Sequence, residues 1–174
     1  CYHCKKRLFE SMRRHADKMG LKVLARGANV DDLSDFRPGF KAAQESGIQA
    51  PLIDAGLNKE QIRTLARQMG LPNWDRPAMA CLATRIPYGT PIDTALLRRI
   101  EQAEARINEI GVPVSRVRHH GNLARIEVAP EHLSLFLQVS YREAIVIALK
   151  ELGYDHVCLD LEGYISGKMN RELD

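Results

Sequence analysis

The sequence predicts an α/β chain in two parts, and three observations carry that reading. A short apolar run, Leu21 to Ala25, lies between segments with helical spacing. After about residue 90 the order becomes helix, hairpin, helix, strand, which makes a small α+β unit. Between the two parts runs a long stretch, residues 71–91, punctuated by Pro and Gly. With 174 residues, 45% of them hydrophobic, the chain is long enough for one full domain, or one domain with a small appendage.

Residues 5–19 place Leu8, Phe9, Met12, Ala16 and Met19 at helical spacing, and Gly20 is a natural stop. Leu21 to Ala25 then reads as a short buried strand. Residues 26–56 are polar and rich in Asp, Gly and Pro, and read as an extended active-site loop with a short helix near Phe40 to Glu45. A helix over Asn58 to Met69 is well marked. Asn58 caps it, Gln61 three residues on completes a capping box, Leu57 and Ile62 suit a hydrophobic staple, and Gly70 precedes Pro72. Residues 71–91 form a long loop holding Trp74, Cys81 and Arg85. A further helix carries Leu96, Ile100, Ala103, Ile107 and Ile110 on one face, with Gly111 as its stop. Val114 to His120 and Leu123 to Val128 alternate and join at Gly121-Asn122, the pattern of a hairpin. The helical run Glu131 to Leu152 breaks near Ser140, and Val157 to Leu161 is a last strand. The boundary between the parts falls near Tyr88 to Pro91, giving regions 1–89 and 90–174.

A formal charge of +3 is mild; it does not demand nucleic acid and leaves room for a phosphorylated small molecule. No apolar run approaches the ~18 residues that span a bilayer, so no membrane role is expected. Four cysteines are too few for a disulfide scaffold and, with a Cys-x-x-Cys pair, point to a reducing, cytoplasmic setting. Because the chain starts at Cys1, residues are expected upstream.

Several residues could carry chemistry. Cys81 lies in Met79-Ala80-Cys81-Leu82-Ala83-Thr84-Arg85-Ile86-Pro87-Tyr88-Gly89, too short and punctuated for a helix and so a loop or strand end. A cation four residues on, Arg85, favours the thiolate. Cys1 and Cys4 can turn both sulfurs to one group: half a zinc site, a dithiol or two ligands of an iron–sulfur cluster. The plain alternative is two cysteines at a frayed terminus. Cys158, alternating with apolar residues in the last strand, reads as a buried core residue. Gly27-Ala28-Asn29-Val30-Asp31-Asp32 follows a strand, and its carboxylates could hold magnesium or orient a nucleotide, although a plain polar loop explains them as well. Arg37-Pro38-Gly39 adds a rigid turn with a cation. Arg116, Arg118 and His120 share one face of the first hairpin strand, and Arg125 and Glu127 share a face of the second; together they suit a phosphate or carboxylate, or are simply a solvated face. Glu104 flanks the apolar stripe of its helix; with Glu127 it could bind a divalent ion, but a boundary or surface role is the default. Trp74, between Asn73 and Asp75, either packs or stacks on a ligand.

Taken together these segments resemble one family over nearly the whole chain. The resemblance is carried by Cys1 to Phe9, Gly27 to Asp32, Arg37-Pro38-Gly39, Ala50-Pro51-Leu52, Lys59 to Arg63, Gly70-Leu71-Pro72 and Ala80 to Gly89. It continues in Arg116-Val117-Arg118, Ala124 to Val128 and Asp160-Leu161-Glu162-Gly163-Tyr164. The chain resembles the LarE-type ATP-dependent sacrificial sulfur transferases of the PP-loop ATP pyrophosphatase superfamily. The resemblance implies a doubly wound parallel PP-loop sheet, here partial, over 1–89, and a small α+β domain over 90–174 used for substrate binding and homo-oligomerisation. It implies ATP and magnesium, and thiolation of a pyridinium biscarboxylate mononucleotide on the way to a nickel-pincer nucleotide. ATP would adenylate a substrate carboxylate, Cys81 would displace AMP, and cleavage of its Cβ–S bond would leave a thiocarboxylate on the substrate and dehydroalanine at 81. By the same analogy Arg85 assists Cys81, Arg116, Arg118 and Arg125 hold the substrate with Trp74 and Thr84 near, Gly27, Asn29, Asp31 and Asp32 meet the nucleotide, and Glu104 and Glu127 are metal candidates. Some relatives hold a [4Fe–4S] cluster on three cysteines; Cys1, Cys4 and Cys81 would supply that set and spare Cys81 its sulfur, and the otherwise unexplained Cys-x-x-Cys pair puts this form ahead of the sacrificial one.

Two features depart from the pattern. The Ser-Gly-Gly-x-Asp-Ser phosphate loop is absent, so the chain as given is expected to be a fragment that does not hydrolyse ATP. Arg26 stands before Gly27 where relatives tend to have Asp. Competing readings are another PP-loop enzyme (a tRNA thiolase or an amide-forming synthetase) and a non-enzymatic zinc-binding module on Cys1, His3 and Cys4.

Overall fold

A computed structural model describes residues 1–34, 38–76, 79–165 and 168. Arg37 lies outside the described residues. The chain is α/β and divides into two compact units, Cys1–Arg76 and Pro77–Asp174.

In the first unit α1 (Tyr2–Lys18) packs on α2 (Pro38–Glu45). The seam is made of Phe9, Ala42, Ala43 and Ile48, all buried, with Tyr2 and Leu24 beside them. Burying Phe9 contributes about 1.5–3 kcal/mol. Gly39 permits the close approach: a Cβ there would stand 3.1 Å from Lys5 Cγ and 3.3 Å from Cys1 Sγ. The Tyr2 hydroxyl donates to Glu45 across the same seam.

The predicted strand at Leu21 to Ala25 is not a strand. The described residues show one parallel bridge, Ala25 to Gln49. Leu21 and Val23 are 52% and 55% exposed. An apolar run becomes a strand only where a neighbour completes its ladder, and here Gln49 alone meets it.

The polar stretch 26–56 is more ordered than a loop. It carries a 3₁₀ turn at Val30–Ser34, the expected helix as α2, and a short α3 (Pro51–Asp54). Pro38 and Pro51 open their helices, where a missing N–H leaves no bond unmade. Helix α4 (Lys59–Gln68) has the predicted capping box: Asn58 Oδ1 accepts from Gln61 N and Gln61 Oε1 from Asn58 N, each at 2.9 Å.

The second unit is helix and sheet. Asp93 caps α5 (Thr94–Glu109) by accepting from Leu96 N at 2.7 Å, and Ile100, Ala103 and Ile107 are its buried stripe, as the spacing predicts. Strands β1 (Arg116–His120) and β2 (Leu123–Glu127) form the predicted antiparallel hairpin. The run after it breaks at Gln138, between a 3₁₀ helix over Pro130–Leu137 and α6 (Val139–Glu151). Strand β3 (His156–Leu159) then adds parallel to β2, giving the order β1-β2-β3. Pleating sends Val117 and Ile126 into a core shared with Ile107, Ile145, Leu149 and Tyr154.

Cys158 is exposed, not buried. As the last strand of the sheet β3 pairs on one side only, and Cys158 falls on the face away from the core, opposite Arg125 in register. The segment around Cys81 is a loop, as the sequence predicts, and it carries a 3₁₀ turn at Leu82–Arg85. Beyond it, Tyr164 N donates to Val128 O at 2.8 Å, which draws the chain so close that a Cβ on Gly163, at φ 70°, would lie 2.7 Å from that oxygen. No helix among the described residues is long and apolar enough to cross a membrane.

Candidate functional site

The second unit gathers eight of the residues singled out in the sequence around one turn. Cys81 is the residue before the 3₁₀ turn, with extended ψ of 137°, and is exposed. The turn closes through Thr84, whose backbone N–H donates to Cys81 O at 2.9 Å and whose hydroxyl donates to the same oxygen at 2.7 Å. A threonine three residues past a chain bend is a recurrent local device, and that spacing is the signal that could have revealed the turn.

Arg85 holds the turn from beneath. Only 3% exposed, it sends Nε and Nη2 to the two oxygens of Glu104 at 2.8 and 3.0 Å. Its Nη1 donates to Ala80 O at 3.1 Å, to Cys81 O at 3.3 Å and to Thr84 Oγ1 at 3.0 Å. The guanidinium thus grips the backbone around Cys81, with its charge matched by Glu104 in a bidentate pair. Glu104 is itself fixed, because Oε1 also accepts from Val117 N of β1 at 3.0 Å.

The hairpin supplies the second hold. The register sets Arg116 opposite Glu127 and Arg118 opposite Arg125, so all four lie on the sheet face away from the core. Glu127 is fully buried. Its Oε2 accepts from Arg118 Nε and Nη2 at 2.9 and 2.6 Å, and its Oε1 from Arg125 Nη2 at 3.3 Å. Arg118 Nη1 reaches across to Thr84 O at 2.8 Å. Glu104 and Glu127, metal candidates in the sequence, are each engaged by arginines. Arg116 donates to Ser115 O and lies 5.4 Å from the Tyr164 ring centroid.

A further ionic cluster follows in the Asp160 to Tyr164 segment, whose role the sequence did not reveal. Asp160 pairs with Lys168 at 2.6 Å and with Arg125 at 3.5 Å. Burial works against its charge, yet the Lys168 bond, the Glu162 N–H and the two cations prevail and hold its pKa below the ordinary value.

In the first unit, Asn29, Asp31 and Asp32 organise their own loop. Asn29 N donates to Asp32 Oδ2, Asp31 N to Asn29 Oδ1, and Lys59 N at the start of α4 to Asp31 Oδ2, at 3.0, 3.0 and 2.9 Å. The space a side chain on Gly27 would take is open. Arg26, in front of it, stacks 3.9 Å from the Phe40 ring centroid. Trp74 lies 5.0 Å from the Arg67 guanidinium. Cys1 and Cys4 are exposed at the start of α1, three residues apart and so on one helical face. Among the described residues no three His, Cys, Asp or Glu side chains are grouped to hold a metal ion.

No protein-family model matches the chain. Over 173 residues it is 41% identical to the uncharacterised protein slr1717 of Synechocystis sp. PCC 6803; the match takes in 99% of this chain and 65% of that protein. Over 172 residues it is 34% identical to the pyridinium-3,5-bisthiocarboxylic acid mononucleotide synthase of Lactiplantibacillus plantarum, again 99% of this chain and 62% of the relative. The uncharacterised protein MJ0830 of Methanocaldococcus jannaschii is 32% identical over 166 residues, 95% of this chain and 64% of its own. The chain therefore spans a little under two thirds of the length of the curated relatives it matches. Fold and site together define an α/β protein with an exposed thiol on a clamped turn. These identities support a LarE-type assignment for the chain.

Proposed function

We propose that the chain is the thiol-bearing part of an ATP-dependent sulfur transferase that turns a carboxylate of a pyridinium biscarboxylate mononucleotide into a thiocarboxylate. The carrying observation is Cys81: an exposed thiol whose backbone is held by Thr84, Arg85 and, through Thr84, Arg118. A nucleophile kept accessible on a fixed backbone suits attack on an activated acyl group. The 34% identity to the Lactiplantibacillus synthase supports the substrate class.

The proposed sequence of events uses this chain's residues as follows. Within a PP-loop fold, the loop of Gly27, Asn29, Asp31 and Asp32 meets ATP, which with magnesium adenylates the substrate carboxylate and releases pyrophosphate. The Cys81 sulfur attacks the acyl carbon and AMP leaves with the C–O bond electrons. The substrate's anionic groups face the cationic hairpin side of Arg116 and Arg125. Arg118 and Arg85 act on the turn. Cleavage of the Cys81 Cβ–S bond then leaves the sulfur on the substrate.

Incubation with ATP, magnesium and the biscarboxylate nucleotide, followed by peptide mass spectrometry, tests this. The peptide containing Cys81 is expected to lose about 34 Da, the mass of hydrogen sulfide. Product formation with Cys81 intact would overturn the donor role.

The Cys-x-x-Cys pair favours a second reading. Cys1, Cys4 and Cys81 would hold a [4Fe–4S] cluster, which would supply the transferred sulfur in place of Cys81. Anaerobic reconstitution with iron and sulfide would then give visible absorption that is lost in Cys1→Ala, Cys4→Ala and Cys81→Ala.

A further inference from the structure

We propose that the peptide carbonyl of Cys81 sits in an oxyanion hole made by Thr84 and Arg85, which stabilises the enolate formed when the Cys81 Cα proton leaves and so promotes cleavage of its Cβ–S bond. This rests on Cys81 being the sulfur donor, and it assigns Thr84 a part in elimination in place of a part in substrate binding, with Arg85 beside it.

Three donors converge on the one oxygen: Thr84 N at 2.9 Å, Thr84 Oγ1 at 2.7 Å and Arg85 Nη1 at 3.3 Å. The first is what any 3₁₀ turn provides. The other two come from particular side chains. They are linked, since Arg85 Nη1 also donates to Thr84 Oγ1 at 3.0 Å and so polarises the hydroxyl that donates onward. The guanidinium is buried and already oriented by Glu104, which is in turn bonded to the β1 backbone. Donors fixed in advance where negative charge will develop are worth more than donors that must reorient.

A peptide Cα–H is a weak acid, and its removal is the difficult part of turning a cysteine into dehydroalanine. The Cα proton passes to a solvent base, hydroxide or a buffer anion. Its electron pair moves into the Cα–C bond and charges the carbonyl oxygen. The enolate collapses as the Cα=Cβ bond forms, and the Cβ–S bond electrons leave with the sulfur as the substrate's thiocarboxylate. Nothing is oxidised or reduced. The three donors act where the charge appears, on the Cys81 oxygen, and leave the thiol free on the exposed side of the turn.

Chemical elimination isolates this step from ATP and substrate. A bis-alkylating dihalide converts exposed cysteines to cyclic sulfonium groups that lose a Cα proton to give dehydroalanine. Peptide mass spectrometry then follows Cys81 and Cys158, which are both exposed in this chain. Elimination at Cys81 is expected to be about tenfold or more faster, a cautious share of what one oxyanion donor contributes in enzymes. Thr84→Val, which keeps shape and backbone but removes the hydroxyl, is expected to lose most of that advantage, and Thr84→Ser to keep it. Equal rates at Cys81 and Cys158, or no change in Thr84→Val, would overturn the proposal. Sulfur loss from Cys81 on turnover combined with an unaffected Thr84→Val would remove the oxyanion hole and leave the donor role standing. Fast elimination at Cys81 without sulfur loss on turnover would do the reverse.

Discussion

Arg118 spends two of its nitrogens on one buried oxygen of Glu127 and a third on the carbonyl of Thr84. One side chain thereby ties the hairpin to the turn that presents Cys81. A buried ion pair is weak evidence of net stability, but removing Glu127 leaves Arg118 charged without its carboxylate, whereas removing Arg118 leaves Glu127 its Arg125 contact at 3.3 Å.

Glu127→Ala is therefore expected to cost about 3–5 kcal/mol, and Arg118→Ala less, since Arg125 still meets Glu127, read by chemical denaturation. Were Arg118 held ready for substrate alone, its removal would leave the denaturation midpoint almost unchanged.

Gly163→Ala tests how closely the last segment lies on the end of β2. The new Cβ would meet Val128 O at 2.7 Å on a residue at φ 70°. A destabilisation of at least about 1–3 kcal/mol is expected. A thermal midpoint equal to that of the parent would show that Val128 and Gly163 are not so close.

His119 sets a pH dependence. It is buried on the core side of β1 with Nδ1 3.4 Å from the Tyr154 hydroxyl. Burial, then the charges of Arg99 and His120, hold its pKa below the ordinary histidine value. The unfolded chain therefore takes up a proton that the folded chain resists. The His119 contribution is fully present above the unfolded value, about 6.5, and is lost as the pH falls from there toward the folded value. His119→Gln should flatten that part of the stability profile, and matching slopes in parent and variant would rule His119 out as its source.

Much of this architecture is legible in the residues because it is local. The Asn58 and Gln61 capping box, the Ile100, Ala103 and Ile107 stripe and the Gly121-Asn122 turn each depend on neighbours a few positions away. What the residues alone do not reveal depends on partners distant in sequence. Leu21 to Ala25 looks like a strand by composition, but a ladder needs a neighbour that composition does not supply. Cys158 alternates with apolar residues as a core residue would, yet the free side of an edge strand leaves it exposed. Arg85 is four residues from Cys81 and reads as a nearby charge. Only the fold brings Glu104 beneath it and turns that charge onto the backbone.

The alternation of β1 has a cost for change. Val117 and His119 are read by the core, Arg116 and Arg118 by the cationic face, and the two readings interleave residue by residue. Deleting one residue inside β1 would exchange the audiences, sending arginines to the hydrophobic side and valine to the ionic one. Cys81 would then lose its support in the same event that unmade the core, so in this strand fold and chemistry stand or fall as a single inheritance.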